Sequence, residues 1–177
     1  MQEHEFTEQY KEHHQKNHDY GVGGKSELVY ELEILLKPKS KILDYGCGKG
    51  RLVTYLREEG FTADGYDPAI PKYSQMPTGK YDAVCCNDVL EHIPEEGLDK
   101  VFKQILSYKP KFISLNIAVY TAEAVLPNGR NAHETVRPMI WWRDKINSHF
   151  GHSYSLRQTR QVDHISSKWL LELRESP

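Results

Sequence analysis

At 177 residues the chain can bury one sizeable core but is too short for two full domains, so residues 1–177 are read as a single unit. A formal charge of −2 and a pI near 6.5 argue against a generally basic nucleic-acid binder. No long apolar run occurs, and no apolar stretch follows a basic start, which predicts neither a membrane span nor a signal peptide and points to a cytoplasmic protein.

Residues 1–20 interleave acids and histidines with Phe6, Tyr10 and Tyr20, a polar arm with aromatic anchors. His13, His14 and His18 have no cysteine or second ligand pair nearby, so no metal site is expected. Glycines break the chain at 21–24. Ser26 can then cap a helix whose Leu28, Leu32, Leu35 and Leu36 recur at helical spacing until Lys37-Pro38 stops it. The three cysteines, Cys47, Cys85 and Cys86, sit in glycine-rich or apolar surroundings and read as reduced, buried thiols.

Lys41 to Tyr45 reads as a central strand buried on both faces. It breaks into Gly46-Cys47-Gly48-Lys49-Gly50, after which Leu52, Val53, Tyr55 and Leu56 mark a helix from Lys49, with Gly60 as its stop. Strand, glycine turn and helix N-terminus together make a ligand cradle with unpaired N–H groups. The spacing is neither Gly-x-Gly-x-x-Gly nor a phosphate loop, because Lys49-Gly50 is followed by Arg51 and not by a hydroxyl. Phe61 to Asp67 forms a second strand. Asp67, nineteen positions after Gly48, stands where a doubly wound fold sets an acid against ribose hydroxyls.

The run Leu43-Asp44-Tyr45-Gly46-Cys47-Gly48-Lys49-Gly50 resembles the first motif of class I S-adenosylmethionine-dependent methyltransferases. Asp67 is similar to that family's second signature, and Asn87-Asp88-Val89-Leu90-Glu91-His92, closing an apolar strand from Tyr81, to its fourth. The resemblance implies that S-adenosylmethionine, leaving as S-adenosylhomocysteine, is held by Asp44, Gly46, Cys47, Gly48, Asp67 and Pro68. Asn87 and Asp88 would line its methionine end and Leu90 would pack near its adenine. It also implies an N-terminal lid over the cofactor, to which Tyr10, His14 and Tyr20 would contribute. The chain departs from the family between Pro68 and Lys80, where thirteen residues with three prolines and a glycine replace a helix and a strand. A trimmed sheet is therefore expected, without the family's third-strand acid that reads the adenine.

From Glu95 a helix places Leu98, Val101, Phe102, Ile105 and Leu106 on one stripe, and Lys111 to Ile117 makes a further parallel strand. The loop from Ala118 to Glu134 is long enough to suspect an acceptor site. In it His133 is the general-base candidate, since a histidine titrates near neutrality, and Arg130 and Asn131 would orient an anionic or hydroxylated acceptor. Met139, Trp142, Ile146 and Phe150 share a helical stripe, which leaves Trp141 to wall the pocket. His152 to Arg160 and His164 to Arg174 read as two strands, the second alternating at Trp169, Leu171 and Leu173. Between Arg130 and Glu175, eight basic residues face five acids, which would suit an anionic acceptor.

The expected fold is α/β, a three-layer doubly wound and mostly parallel sheet with a C-terminal antiparallel strand pair and a missing third-strand region. Within it, residues 1–24 form the arm, 25–117 the cofactor core and 118–177 the acceptor region. The expected reaction is methyl transfer to a small-molecule oxygen or nitrogen acceptor, with neither membrane nor nucleic acid as partner. The same cradle would also serve a lyase or hydrolase of the same cofactor, or a noncatalytic subunit of a larger complex.

Overall fold

A computed structural model describes residues 3–22, 27–162 and 166–174. Its centre is a six-stranded sheet of β1 (Lys41–Tyr45), β2 (Thr62–Tyr66), β3 (Ala83–Asn87), β4 (Phe112–Ala118), β5 (Tyr154–Val162) and β6 (Ser166–Leu173), in the order β2-β1-β3-β4-β6-β5. β2, β1, β3 and β4 are parallel, and β6 runs antiparallel between β4 and β5. The expected architecture is present, including the trimmed edge. β2 ends the sheet, and the residues after it form only a 3₁₀ turn at Pro71–Tyr73.

Alternation along the strands divides the core into two layers. Leu43, Val84, Ile113, Leu115, Trp169 and Leu171 face α4 (Leu98–Ser107) and α5 (Met139–Phe150). Ile42, Ala63, Cys85, Phe112 and Leu170 face α2 (Glu27–Leu35) and α3 (Arg51–Glu58). All three cysteines are buried free thiols. Trp142, Ile146 and Phe150 are buried as their spacing predicts. β6 corrects the predicted alternation: Trp169, Leu170 and Leu171 are all buried, because an interior strand is covered on both faces, while Leu173 is exposed. The predicted cap Ser26 lies outside the described residues.

The N-terminal arm is helical at α1 (Glu3–Lys16). It folds back over the C-terminal ends of the strands through contacts distant in sequence. Tyr10 donates to the Ala132 carbonyl at 2.5 Å, the Lys49 amide donates to the Gly21 carbonyl at 2.9 Å, and the Lys49 ammonium donates to the Asn17 carbonyl at 3.3 Å.

Candidate active site

β1 lies between β2 and β3, and the chain reverses direction across the sheet at that point. Open α/β sheets have their crevice beyond such a switch. Here it holds a cavity of about 520 Å³, well within the range of small-ligand sites. Its floor is the glycine turn with Asp44 and Cys47, one wall is Asp67-Pro68-Ala69, and another is Asn87-Asp88-Val89. Thr7, Tyr10, His14 and Tyr20 of the arm cover it beside His92, and Lys100, Val101 and Gln104 of α4 close the far end.

Each glycine of the turn answers a local demand. Gly46, at φ +77°, faces Val89, so any side chain there would collide with the valine methyls. Gly48, at φ +51°, lies against the Gly21 carbonyl, which lets the arm pack directly on the turn. Gly48→Ala is therefore expected to lift the arm: a Cβ would strike backbone in a conformation L-residues avoid. We predict a loss of about 1–3 kcal/mol in stability by denaturant unfolding, together with faster protease cleavage before Gly21. Unchanged cleavage would show that this packing does not hold the arm.

Carboxylates gather around the turn. Asp67 accepts from the Gly48 amide through Oδ2 and from the Ala69 amide through Oδ1, both at 2.9 Å, and each oxygen retains a lone pair. Asp44 is 4% exposed, and burial with the neighbouring Asp67 charge pushes its carboxyl up to about 7. Asp88, at φ +53°, is held by Asn116, whose Nδ2 donates to its Oδ1 at 2.8 Å. Asn87 has both side-chain polar atoms buried with no partner among the described residues, a donor and an acceptor left over beside the cavity. Three carboxylates and an unused amide suit a ligand carrying positive charge and hydrogen-bonding groups.

Around His92 the cavity wall is imidazole and phenol. His92 donates from Nδ1 to the Ala132 carbonyl at 2.7 Å, and burial holds its pKa down to about 4, so the ring is neutral at pH 7. Its ring lies edge-on to Tyr10 and to His133, with centroids 5.4 and 4.9 Å away. Behind it Glu91 is wholly buried, and burial beside Asp88 raises its carboxyl to about 8.

Of the residues singled out from sequence, Tyr20, Asp44, Gly46, Cys47, Gly48, Asp67, Pro68, Asn87 and Asp88 share this one cavity. Leu90 is fully enclosed in the core layer against α4 and is not among the residues that line the cavity. The loop from Ala118 to Glu134, expected to hold the acceptor, contributes no residue to the lining of this cavity. Asn131 closes the loop on itself, donating to the Ala122 carbonyl at 2.7 Å and accepting from the His133 amide at 2.9 Å, while Arg130 pairs with Glu134. Trp141 packs on Trp142 beneath Arg137. His133 donates to the Tyr120 carbonyl at 2.5 Å and sits behind His92, off the wall. Val101, on the predicted apolar stripe, and Gln104, outside it, also line the cavity, with nothing in the sequence to mark them as wall. Tyr45 donates to Gln104 Oε1 at 2.5 Å and fixes that side chain at the cavity end.

Residues 19–162 match a family profile described as a methyltransferase domain, and the chain belongs to that family: it is an S-adenosylmethionine-dependent methyltransferase of class I fold. No curated protein sequence matches it significantly. Among solved structures it is similar to 1,6-didemethyltoxoflavin-N1-methyltransferase of Burkholderia thailandensis, bound to 1,6-didemethyltoxoflavin and S-adenosylhomocysteine, with TM-score 0.69, 13% identity and coverage of 99% of this chain and 92% of that one. It is also similar to magnesium protoporphyrin IX methyltransferase of Synechocystis with bound S-adenosylmethionine, with TM-score 0.66, 16% identity and coverage of 96% and 97%. A third is a TehB-like S-adenosylmethionine-dependent methyltransferase of Corynebacterium glutamicum, with TM-score 0.60, 15% identity and coverage of 95% and 98%.

Proposed function

We propose that the protein transfers the methyl group of S-adenosylmethionine to an oxygen or nitrogen of a small molecule. The observation that carries this reading is the joining, in one cavity, of a carboxylate-lined glycine turn to a neutral imidazole and phenol wall. When bound, the cofactor supplies an electrophilic methyl on a sulfonium centre. Asp67 would accept the ribose hydroxyls with its remaining lone pairs, Asp44 and the Asn87-Asp88 tip would face the cationic methionine end, and Gly46 and Gly48 would let the backbone approach. Rate enhancement then rests on proximity and alignment, which are worth up to about 7–11 kcal/mol in well-oriented reactions.

The acceptor would enter beside Tyr10, His14, Tyr20 and His92, whose rings favour a small, partly aromatic molecule. The two named small-molecule enzymes of similar fold, methyltransferases of 1,6-didemethyltoxoflavin and of magnesium protoporphyrin IX, support an acceptor of this general kind. The base role expected of His133 would have to act through His92, which lines the cavity and whose ring centroid is 4.9 Å from that of His133. Arg130, Asn131 and Trp141 leave the acceptor's position to the arm, which serves as the lid.

Calorimetry with S-adenosylhomocysteine tests the cofactor half of this reading, and a chain lacking residues 1–20 should bind it at least about tenfold more weakly. Transfer of labelled methyl to a panel of small aromatic alcohols, amines and carboxylic acids tests the other half. Cofactor breakdown without labelled product would replace transfer by lysis or hydrolysis.

A further inference from the structure

We propose that Glu91, His92 and His133 form a binding site for one divalent first-row transition ion, zinc being the reference case, at the acceptor side of the cavity. A ligand atom from each of the three lies within 4.8 Å of the other two. A backbone carbonyl only accepts, so the Nδ1–H of His92 is committed to Ala132 and that of His133 to Tyr120, at 2.7 and 2.5 Å. Both rings are therefore locked in the tautomer that leaves the Nε2 lone pair free. Metal-binding histidines are oriented in the same way, with the second ring nitrogen donating to a carbonyl or carboxylate.

Glu91 completes the set. Its Oε1 accepts from the Ala118 amide at 2.8 Å, while Oε2 is buried with no partner among the described residues, an arrangement that disfavours folding unless something compensates it. Two imidazole nitrogens and one carboxylate oxygen form a donor set for zinc or a neighbouring divalent ion, with further positions open to water or ligand. Ligands to such an ion stand about 2.0–2.2 Å from it, so closing the set takes side-chain movement on the order of 1 Å. His92 also lines the cavity, while Glu91 and His133 do not, so the ion would stand one side chain away from the space proposed for the acceptor.

The expectation of no metal considered only the clustered histidines of the arm. The three residues proposed here come from the turn after β3 and from the loop after β4, and are brought together by the fold. An imidazole that ligates an ion has no lone pair left to take a proton, so this inference gives the His92–His133 pair a role other than the base.

The test uses chelator-treated full-length protein titrated with Zn²⁺ by calorimetry and with Co²⁺ by absorption spectroscopy. The expected result is one ion per chain, with His92→Gln and His133→Gln each weakening binding by at least about 100-fold. His18→Gln and His152→Gln, both exposed and outside the site, should leave it unchanged. If either imidazole variant fails to fold by circular dichroism, Glu91→Gln, which retains an acceptor for the Ala118 amide, must show the same loss. Absence of binding in the wild-type chain, or binding kept by the site variants, overturns the proposal. S-adenosylhomocysteine titrated into the same samples separates the readings: its binding without metal leaves methyl transfer standing and removes the ion, and metal without it does the reverse.

Discussion

Replacing Asp67 by alanine is expected to reduce S-adenosylhomocysteine affinity by at least about 100-fold and to lower the stability of the ligand-free chain. One carboxylate performs two tasks. It accepts from the Gly48 and Ala69 amides, and it lines the cavity. Alanine leaves two buried N–H groups unsatisfied, at about 1–3 kcal/mol each before any solvent rearrangement. It also removes the acceptors proposed for the ribose. Asparagine separates the two tasks, because it keeps one accepting oxygen but turns the other into a donor, which faces an amide N–H on one side or the other. Asp67→Asn should therefore recover part of the stability lost in Asp67→Ala while staying weak in binding. Calorimetric titration and denaturant unfolding of the two variants check this. A binding loss below about threefold in both would remove Asp67 from the cofactor site.

The parts of this architecture that could be read from the sequence are those set by local chemistry. β1 covers the Lys41–Tyr45 segment read as a buried strand, the glycines turn the chain where no side chain would fit, and the short proline-rich segment after Asp67 cannot build a strand and leaves β2 at the edge. The side expected to hold the acceptor could not be read in this way, because its side chains are aimed by individual hydrogen bonds, some within the loop and some distant in sequence, that residue type and periodicity do not reveal. Asn131 turns inward to bond Ala122 and not outward to a ligand, and Arg130 is taken up by Glu134. His92, from a turn directly after β3, reaches the wall, while the loop histidine His133 ends behind it. Tyr10 reaches the cavity only because α1 folds across the strand ends, and its hydrogen bond to Ala132 joins the two halves of the wall. The periodicity of residues 1–20 carries no trace of that partner. Leu170 makes the same point in the core: an interior strand with both faces covered loses the alternation from which its burial is predicted.

Asp44→Asn is expected to stabilise the ligand-free chain and to weaken cofactor binding, with both effects depending on pH. In the folded chain the Asp44 carboxyl sits at about 7, against an ordinary value of 3.8. Its surroundings explain the direction: it is buried, Asp67 is the charged group nearest in effect, and Cys47 and Cys85 close by bring no positive charge. Between pH 4 and 7 Asp44 in the folded form therefore holds a proton that it has released in the unfolded chain, so its contribution to stability falls as pH rises through this window and levels off above about 7. Fully expressed, the cost of keeping this carboxylate ionised in the fold is on the order of 4 kcal/mol, an upper bound for a buried and interacting pair of acids. Asparagine, neutral at every pH, removes this slope, so the variant should gain most over wild type above pH 7 and little near pH 4. Binding moves the opposite way. A ligand bringing a cationic ammonium or sulfonium group to this end of the cavity favours the ionised carboxylate, so wild-type binding near pH 6 should release a proton that Asp44→Asn does not. Calorimetry in buffers of different ionisation enthalpy measures that proton directly, and unfolding at several pH values measures the slope. Equal proton release by both chains, or a slope unchanged by the substitution, would place the titrating group elsewhere. A carboxylate whose ionisation burdens the ligand-free fold at neutral pH thus prepares it for a positively charged cofactor.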